Sequence, residues 1–496
     1  MSLSKKLSIA VAAGDGIGPE IMRASIAVLN AVRAPLDYHN VDMGKTFYLS
    51  GNSTGMTQAA KEKVEETRIL FKGPMETPKG AGMKSINVTA RKVWSTYANK
   101  RIFKTLPGVE TVFSRAGIHV DLTIVRENIE DTYGGVEHMQ THDVAQCRRF
   151  ITRPGSLQVH RKAFEIAMTR ADKDFHRVTC CHKANIMKLT DGLFLEAFHE
   201  IAKEYPDVRT DDIIVDDLAM KLVTRPDMFD VIVLPNLQGD IISDLAAGLV
   251  GGLGMAPSAN IGDDIAIFEA VHGTAPDIAG KGIANPTALI LSSCMMLRHL
   301  GMHDRAHMIE TGLHAALAAG IRTVDLTQAP GMSPASTAAF VEGIIKHLPF
   351  ATHAAINIPW ESPAFKPLRT ENEVMVSPPK SVVTVGADMF VNSELPPHKL
   401  ASAVQAVAPK HLKLTMISNR GTQVWPTGSV LTQCINHYRC RLEFVEPPNP
   451  EAQDLGAARS ELLQAAAQIC ATVPVCSLEM LNMVDGKQGF TLAQGQ

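Results

Sequence analysis

Short apolar runs bounded by turn residues recur along the first 350 positions. They predict buried strands at residues 7–13, 68–71, 120–125, 177–181, 213–215 and 231–234. Between them apolar residues return every three or four positions, which predicts helices at 19–32, 156–172, 191–205, 240–250, 286–300 and 304–319. Strands alternating with amphipathic helices argue for an α/β fold with a mostly parallel sheet. From 285 to about 348 the pattern is almost all helix. Prolines 359, 363, 367, 378 and 379 then break the periodicity and predict a linker over 351–380. Beyond it a strand (382–391), a helix (396–407), two strands (412–417 and 438–445) and a helix (452–470) predict an α+β module over 381–496.

Composition narrows the function class. A chain of 496 residues has room for three domains at about 100–200 residues each. Its formal net charge of −3 leaves no electrostatic footprint for nucleic acid or a membrane surface. No uncharged apolar run reaches the roughly 18 residues that a membrane span needs. The N-terminal apolar stretch runs straight into Gly14-Asp15-Gly16-Ile17-Gly18, which reads as a first strand and turn rather than a signal peptide. The eight cysteines include no C-x-x-C pair and read as small buried hydrophobes in a reducing cytoplasm. Cys180 and Cys181 are neighbours on a predicted strand and should point to opposite faces.

Four constellations carry chemistry. Asp240 and Asp244 stand four apart on a predicted helix, so both carboxylates project from one face. Two like charges there fit either a helix N-terminus or a hard divalent ion, Mg²⁺ or Mn²⁺, with Asp216 as a third ligand. Arg91, Arg101 and Arg126, with Ser85 and Asn87, read either as scattered surface or as a nest for a substrate with several carboxylates. Tyr133 and Lys183 are candidate proton carriers, although spacing alone does not separate them from structural residues. The glycine-rich segments are weaker. The turn at Gly14 lacks G-x-G-x-x-G spacing, and Gly44-Lys45-Thr46 has His39 where a P-loop needs glycine, which disfavours a nucleotide-dependent kinase. The loop His272–Gly280 precedes a helix and could wrap a nucleotide, but each glycine alone is more often a turn requirement.

Together these residues resemble the decarboxylating β-hydroxyacid dehydrogenases, the family of isocitrate and 3-isopropylmalate dehydrogenases. The likeness spans about residues 7–350 and is carried by GDGIGPEI, RENIEDTYGG, HGTAPDIAGKGIANP and, most specifically, NLQGDIISDLAAGLVGGLGMAPSANIG. It implies a two-domain α/β fold that is not a Rossmann fold. The large cofactor domain would comprise 1–97 and 251–350, and the small dimerisation domain 98–250 with a clasp near 131–152. The resemblance implies a homodimer or higher homo-oligomer with shared active sites. Ser85, Asn87, Arg91, Arg101 and Arg126 would bind substrate carboxylates, and Tyr133 and Lys183 would handle protons. Asp240 and Asp244 would bind the metal with Asp216 of a second copy, which would also supply Lys183. Thr77, Asn185, Glu269, His272, Gly273, Thr274, Ala275, Asp277, Ile278 and Asn285 would hold the dinucleotide. Ser85 and Asn87 replace the aliphatic residues of isopropylmalate enzymes, which implies isocitrate, with homoisocitrate or 3-isopropylmalate as alternatives. Asp277-Ile278 matches the NAD-using pattern rather than the Lys-Tyr of NADP-using relatives. A non-catalytic regulatory subunit would lack some metal or arginine positions, and all are present. The C-terminal module resembles the extension of long-chain isocitrate dehydrogenases of the Thermus kind through Ile417–Thr422 and Trp425-Pro426. Its expected role is oligomerisation, with small-molecule regulation as the alternative.

Overall fold

A computed structural model describes residues 6–76, 84–170, 176–327, 333–349, 360, 363–376, 380–446 and 455–494. The linker expected at 351–380 falls partly outside them. The chain divides into two compact units. The first comprises Met1–Gly134, Arg149–Ile186 and Asp191–Val374; the second comprises Gly135–Arg148, Met187–Thr190 and Met375–Gln496.

Ten strands of the first unit form one sheet. Their order is Leu36–Asn40, Leu7–Ala12, Ile69–Lys72, Ala266–Ala270, Pro257–Ile261, Ala98–Lys104, Asp121–Glu127, Val231–Leu234, Arg177–His182 and Arg209–Ile214. Pairing is parallel on both flanks, as βαβ crossovers require. The strands Ala266–Ala270, Pro257–Ile261, Ala98–Lys104 and Asp121–Glu127 run antiparallel to one another across the middle. The central strands ANKRIFK, PSANI and AIFEA are absent from the pattern-based expectation. They bury polar residues on one face, so they show no apolar run. The edge strand Leu36–Asn40 is missed because much of it is partly or fully exposed. At the other edge, the strand expected at 213–215 begins at Arg209, and Val215 instead opens a helix.

Helices pack on both faces and divide the apolar core by chain position. One side gathers Ile9, Val28, Phe71, Phe268, Leu289 and Leu313, almost all from before 98 or after 250. The other gathers Leu122, Leu218, Ile232 and Ala246 on one face, and Val125, Phe164, Phe198 and Val233 on the opposite face. Cys180 and Cys181 fall in these two opposite cores, as strand alternation requires. The expectation that all eight thiols are buried is corrected. All are free, but Cys147, Cys434 and Cys470 are exposed and Cys476 is half-buried.

The second unit is built on a six-stranded antiparallel sheet, ordered Thr422–Trp425, Leu412–Asn419, His437–Phe444, Val382–Asn392, Val475–Val484 and Lys487–Gln488. The first and last two of these were not expected. Leu400 and Val404 of the helix Pro397–Val407 and Leu462 and Ile469 of Leu455–Cys470 complete its core. Arg441, fully buried, is clamped by Asp388 at 2.8 and 2.9 Å. The segment Gly135–Arg148 joins this unit through Arg148 to Glu479 at 2.7 Å and Asn392 Nδ2 donating to Gln140 O at 3.1 Å.

The first glycine-rich turn is a packing requirement. Gly16 has φ +59, and a Cβ there would lie 2.0 Å from the carbonyl oxygen of Thr274. Lys45 reaches Glu76 at 2.7 Å, so the Gly44-Lys45-Thr46 lysine has a structural partner. Gly16→Ala should therefore cost about 3 kcal/mol from left-handed strain plus the backbone clash. Gly320→Ala, with φ +82 and nothing within 4 Å, should cost only about 1 kcal/mol. Denaturant unfolding of both variants checks this; equal losses would contradict the clash.

Candidate functional site

The antiparallel centre of the sheet makes the site. Arg126 pairs across from Asn99, Asn99 from Asn260, Arg101 from Ser258, and Ser258 from Glu269. Period-2 alternation therefore sets these polar groups on one face. They are buried, with Arg126 only 1% exposed. Asn99 links them: its Nδ2 donates to Asn260 at 2.8 Å, and its Oδ1 accepts from Arg101 Nε at 2.6 Å. Asn260 Nδ2 donates to Glu269 at 2.7 Å.

Glu269 sits between two cations, Lys72 and Arg91, the latter at 3.1 Å. Burial would raise its pKa, but Lys72 and then Arg91 outweigh this and hold the carboxyl below the usual range. Glu269 is thus an internal counter-ion that orients Arg91. Arg91 lies in the last turn of the short helix Ile86–Val93, whose N-cap is Ser85, its hydroxyl accepting from Val88 N at 3.4 Å. Asn87 stands in the first turn of that helix, where the exposed N–H groups favour an anion.

The helix Asn236–Leu249 crosses the same face. Arg126 contacts Asp240 and is held by Asn236 at 2.7 and 2.9 Å. Arg101 donates to Ser243 at 2.6 Å and lies 3.5 Å from Asp240 and 3.6 Å from Asp244. Asp240 and Asp244 thus share one helix face, as their spacing predicts. Burial works against the Asp240 charge, yet Arg126 and Arg101 prevail and lower its pKa. Burial raises Asp244. Burial also lowers Arg101 to about 10, still protonated at neutral pH. Tyr133 donates to Asp240 Oδ2 at 2.5 Å, with the Arg126 guanidinium 4.7 Å from its ring centre. Burial raises the phenol.

A second cluster lies elsewhere in the same unit. The parallel pairing of His182 with Ile214 sets the ends of two strands side by side. Lys183 meets Asp216 there at 2.5 Å, and the hydrogen bond from Lys183 lowers that acid. Asp216 is 70% exposed. Among the described residues, no three His, Cys, Asp or Glu side chains gather as a metal-sized group. Asp216 therefore does not join Asp240 and Asp244 within one chain.

A cleft of about 90 Å³ is lined by Asn87, Arg91, Arg101, Glu269, His272 and Gly273, among others. Asn87 Oδ1, Arg91 Nε and His272 Nε2 are buried there without hydrogen-bond partners. Thr274 is buried, and its carbonyl accepts from Ile17 N at 2.9 Å. Ala275 takes φ +39, and Asp277 and Ile278 follow in a short turn with Asp277 exposed. Asn285 is engaged internally, donating to Asp325 at 2.8 Å and accepting from Thr287 N at 2.9 Å. Asn185 is exposed in the turn after Lys183. Thr77 lies outside the described residues. Sequence reasoning missed Lys72, Asn99, Asn236, Ser243, Ser258 and Asn260. The i, i+2 recurrence of Asn99 with Arg101 and of Ser258 with Asn260 was the available signal.

The "Isocitrate/isopropylmalate dehydrogenase" family model matches residues 8–344, and "Bacterial isocitrate dehydrogenase, C-terminal domain" matches 383–496. An "Isocitrate dehydrogenase [NADP]" of Thermus thermophilus is 43% identical over 98% of this chain and 96% of its own length. An "Isocitrate dehydrogenase [NAD] catalytic subunit 5, mitochondrial" of Arabidopsis thaliana is 44% identical over 68% of this chain and 87% of its own. The crystal structure of TT0538 protein from Thermus thermophilus superposes with a TM-score of 0.88 at 42% identity, covering 99% of this chain and 96% of that one.

The buried triad generates a prediction. Lys72→Met leaves Glu269 with one cation and should destabilise the protein by about 3–5 kcal/mol. Adding Glu269→Gln should restore at least about 1 kcal/mol. Urea unfolding of the single and double variants measures this, and equal losses would contradict the pairing.

Proposed function

The chain belongs to the isocitrate/isopropylmalate dehydrogenase family, and from that premise we propose that it oxidises and decarboxylates isocitrate to 2-oxoglutarate, reducing NAD with Mg²⁺ or Mn²⁺ as metal. The carrying observation is the polar character of the cleft. Arg91 and Arg101 line it, and the buried Asn87 Oδ1 and Arg91 Nε there have no hydrogen-bond partner. An isopropyl group would leave such buried atoms unpaired, at about 1–3 kcal/mol each. A third carboxylate satisfies Arg91 and the N-terminus of its helix.

The donor sets fit both implied groups. Asp240 and Asp244 offer hard carboxylate oxygens on one helix face, the chemistry that Mg²⁺ and Mn²⁺ take. The His272–Ile278 loop with its orphaned His272 nitrogen suits a dinucleotide. When bound, the dinucleotide accepts the hydride and the cation offsets charge on the substrate oxygens. Arg91, Arg101 and Arg126 fix the substrate carboxylates, with Ser85 and Asn87 beside them. Lys183 takes the hydroxyl proton, the C–C bond to the departing carboxylate breaks, and Tyr133 returns a proton to carbon. Burial keeps Tyr133 protonated, as a donor must be.

The assembly we propose is a homodimer or larger homo-oligomer in which Lys183 and Asp216 complete the site of a second copy. Two observations support it: the separation of Lys183–Asp216 from Asp240 and Asp244, and the exposure of Met220, Val223, Leu237 and Ile241 on the two helices that carry these acids. Within the first unit we take 1–97 with 251–350 as the cofactor domain and 98–250 as the dimerisation domain, in line with the division of the cores. The clasp near 131–152, the 351–380 linker and an assembling role for 381–496 complete that proposal. No helix among the described residues is long and apolar enough to cross a membrane. Free, partly exposed thiols support a reducing cytoplasm.

Relatives named for NADP and for NAD both match, so cofactor choice rests on this chain's own loop. The exposed carboxylate of Asp277 suits ribose hydroxyls and repels a 2′-phosphate, for an NAD preference of about 100-fold. The test follows reduced dinucleotide by absorbance with isocitrate, homoisocitrate and 3-isopropylmalate, each with NAD and NADP. Isocitrate with NAD should give the highest kcat/KM, and excess EDTA should abolish it. Highest activity on 3-isopropylmalate would sink the substrate reading. Asp277→Lys with Ile278→Tyr should shift preference towards NADP at least about tenfold; an unmodified enzyme equally active with NADP would overturn the reading of Asp277.

A further inference from the structure

Arg149, on the strand Ala145–Phe150, bridges two fully buried carboxylates. Its Nε donates to Asp131 and its Nη1 to Asp191. Each acid also holds backbone of the site. Asp131 Oδ1 accepts from Thr132 N at 2.8 Å, and its Oδ2 accepts from Leu237 N at 2.9 Å. Asp191 Oδ2 accepts from Lys183 N at 2.6 Å and from Gln238 Nε2 at 3.1 Å. Asp131 sits at φ +66, an unfavourable region for a non-glycine residue that these bonds stabilise.

One guanidinium therefore ties three segments. These are the strand carrying Tyr133, two residues beyond Asp131; the turn carrying Lys183; and the first turn of the helix carrying Asp240 and Asp244. Under the proposed function, on which this inference rests, Tyr133 serves the chain's own site and Lys183 serves the site of a second copy. We propose that Arg149 is a positioning residue that couples the two active sites of the assembly. The proton donor of one site and the base of the other are held by the same buried Asp131–Arg149–Asp191 bridge. Loosening the bridge displaces both. A small displacement at the reacting centre is enough to slow proton transfer strongly.

The test uses the full-length enzyme and two separate reactions. One is oxidation of isocitrate, which requires Lys183. The other is conversion of the β-keto acid, supplied directly, to 2-oxoglutarate; it loses CO₂ and takes a proton from Tyr133. Arg149→Met should lower kcat of both reactions by at least about tenfold, while KM for isocitrate changes less than about threefold. Arg149→Lys keeps the charge without the fork and should give a smaller loss in both. If the methionine variant does not fold, the lysine variant carries the test. An active wild type whose folded variants keep kcat, or lose only one of the two reactions, overturns the coupling. A wild type that does not oxidise isocitrate overturns the proposed function, and this inference with it.

Discussion

Arg126 carries a full charge at the middle of a ten-stranded sheet with almost no access to water, and Arg101 lies beside it. Burying a guanidinium costs several kcal/mol unless anions and hydrogen bonds compensate. The surrounding structure supplies that compensation. The antiparallel central strands place Asn99, Ser258 and Asn260 among the charges, and the helix Asn236–Leu249 delivers Asn236, Asp240 and Ser243. Glu269 performs the same office for Arg91, with Lys72 as its second cation. The site is thus a charge-balanced network before any ligand is considered.

That balance links two kinds of ligand. Under the proposed function, a polyanion would compete with Asp240 and Asp244 for the guanidiniums of Arg126 and Arg101. Under the same proposal, a divalent cation would compete with the same guanidiniums for the carboxylates. Each ligand releases the groups the other needs, so their binding must be mutually favourable. The pKa directions agree: Asp240 is held ionised by Arg126 and Arg101 against its burial, while burial raises Asp244.

The inner strands of the parallel flanks were legible in the sequence because they are buried on both faces and read as apolar runs, whereas the edge strands Leu36–Asn40 and Arg209–Ile214 are partly or fully exposed over much of their length. Three of the four antiparallel central strands were not, since there one face is polar and carries Asn99, Arg101, Ser258, Asn260 and Glu269. The very feature that makes the site concealed the strands that carry it. Asp240 and Asp244 were legible because helical spacing fixes their shared face. Glu269 was recognised, but its engagement with Lys72 was not, because that contact joins parallel strands nearly 200 residues apart in sequence. In the C-terminal module the strand Val475–Val484 escaped notice because its side chains are mostly half-buried and lack clear alternation.

The most direct test of the charge-balanced site is calorimetric titration of Mn²⁺ into the full-length protein, with and without isocitrate and in the absence of dinucleotide. Isocitrate should tighten Mn²⁺ binding by at least about tenfold, and Mn²⁺ should tighten isocitrate binding by the same factor. Mn²⁺ affinity that is unchanged or weakened by isocitrate would contradict the account.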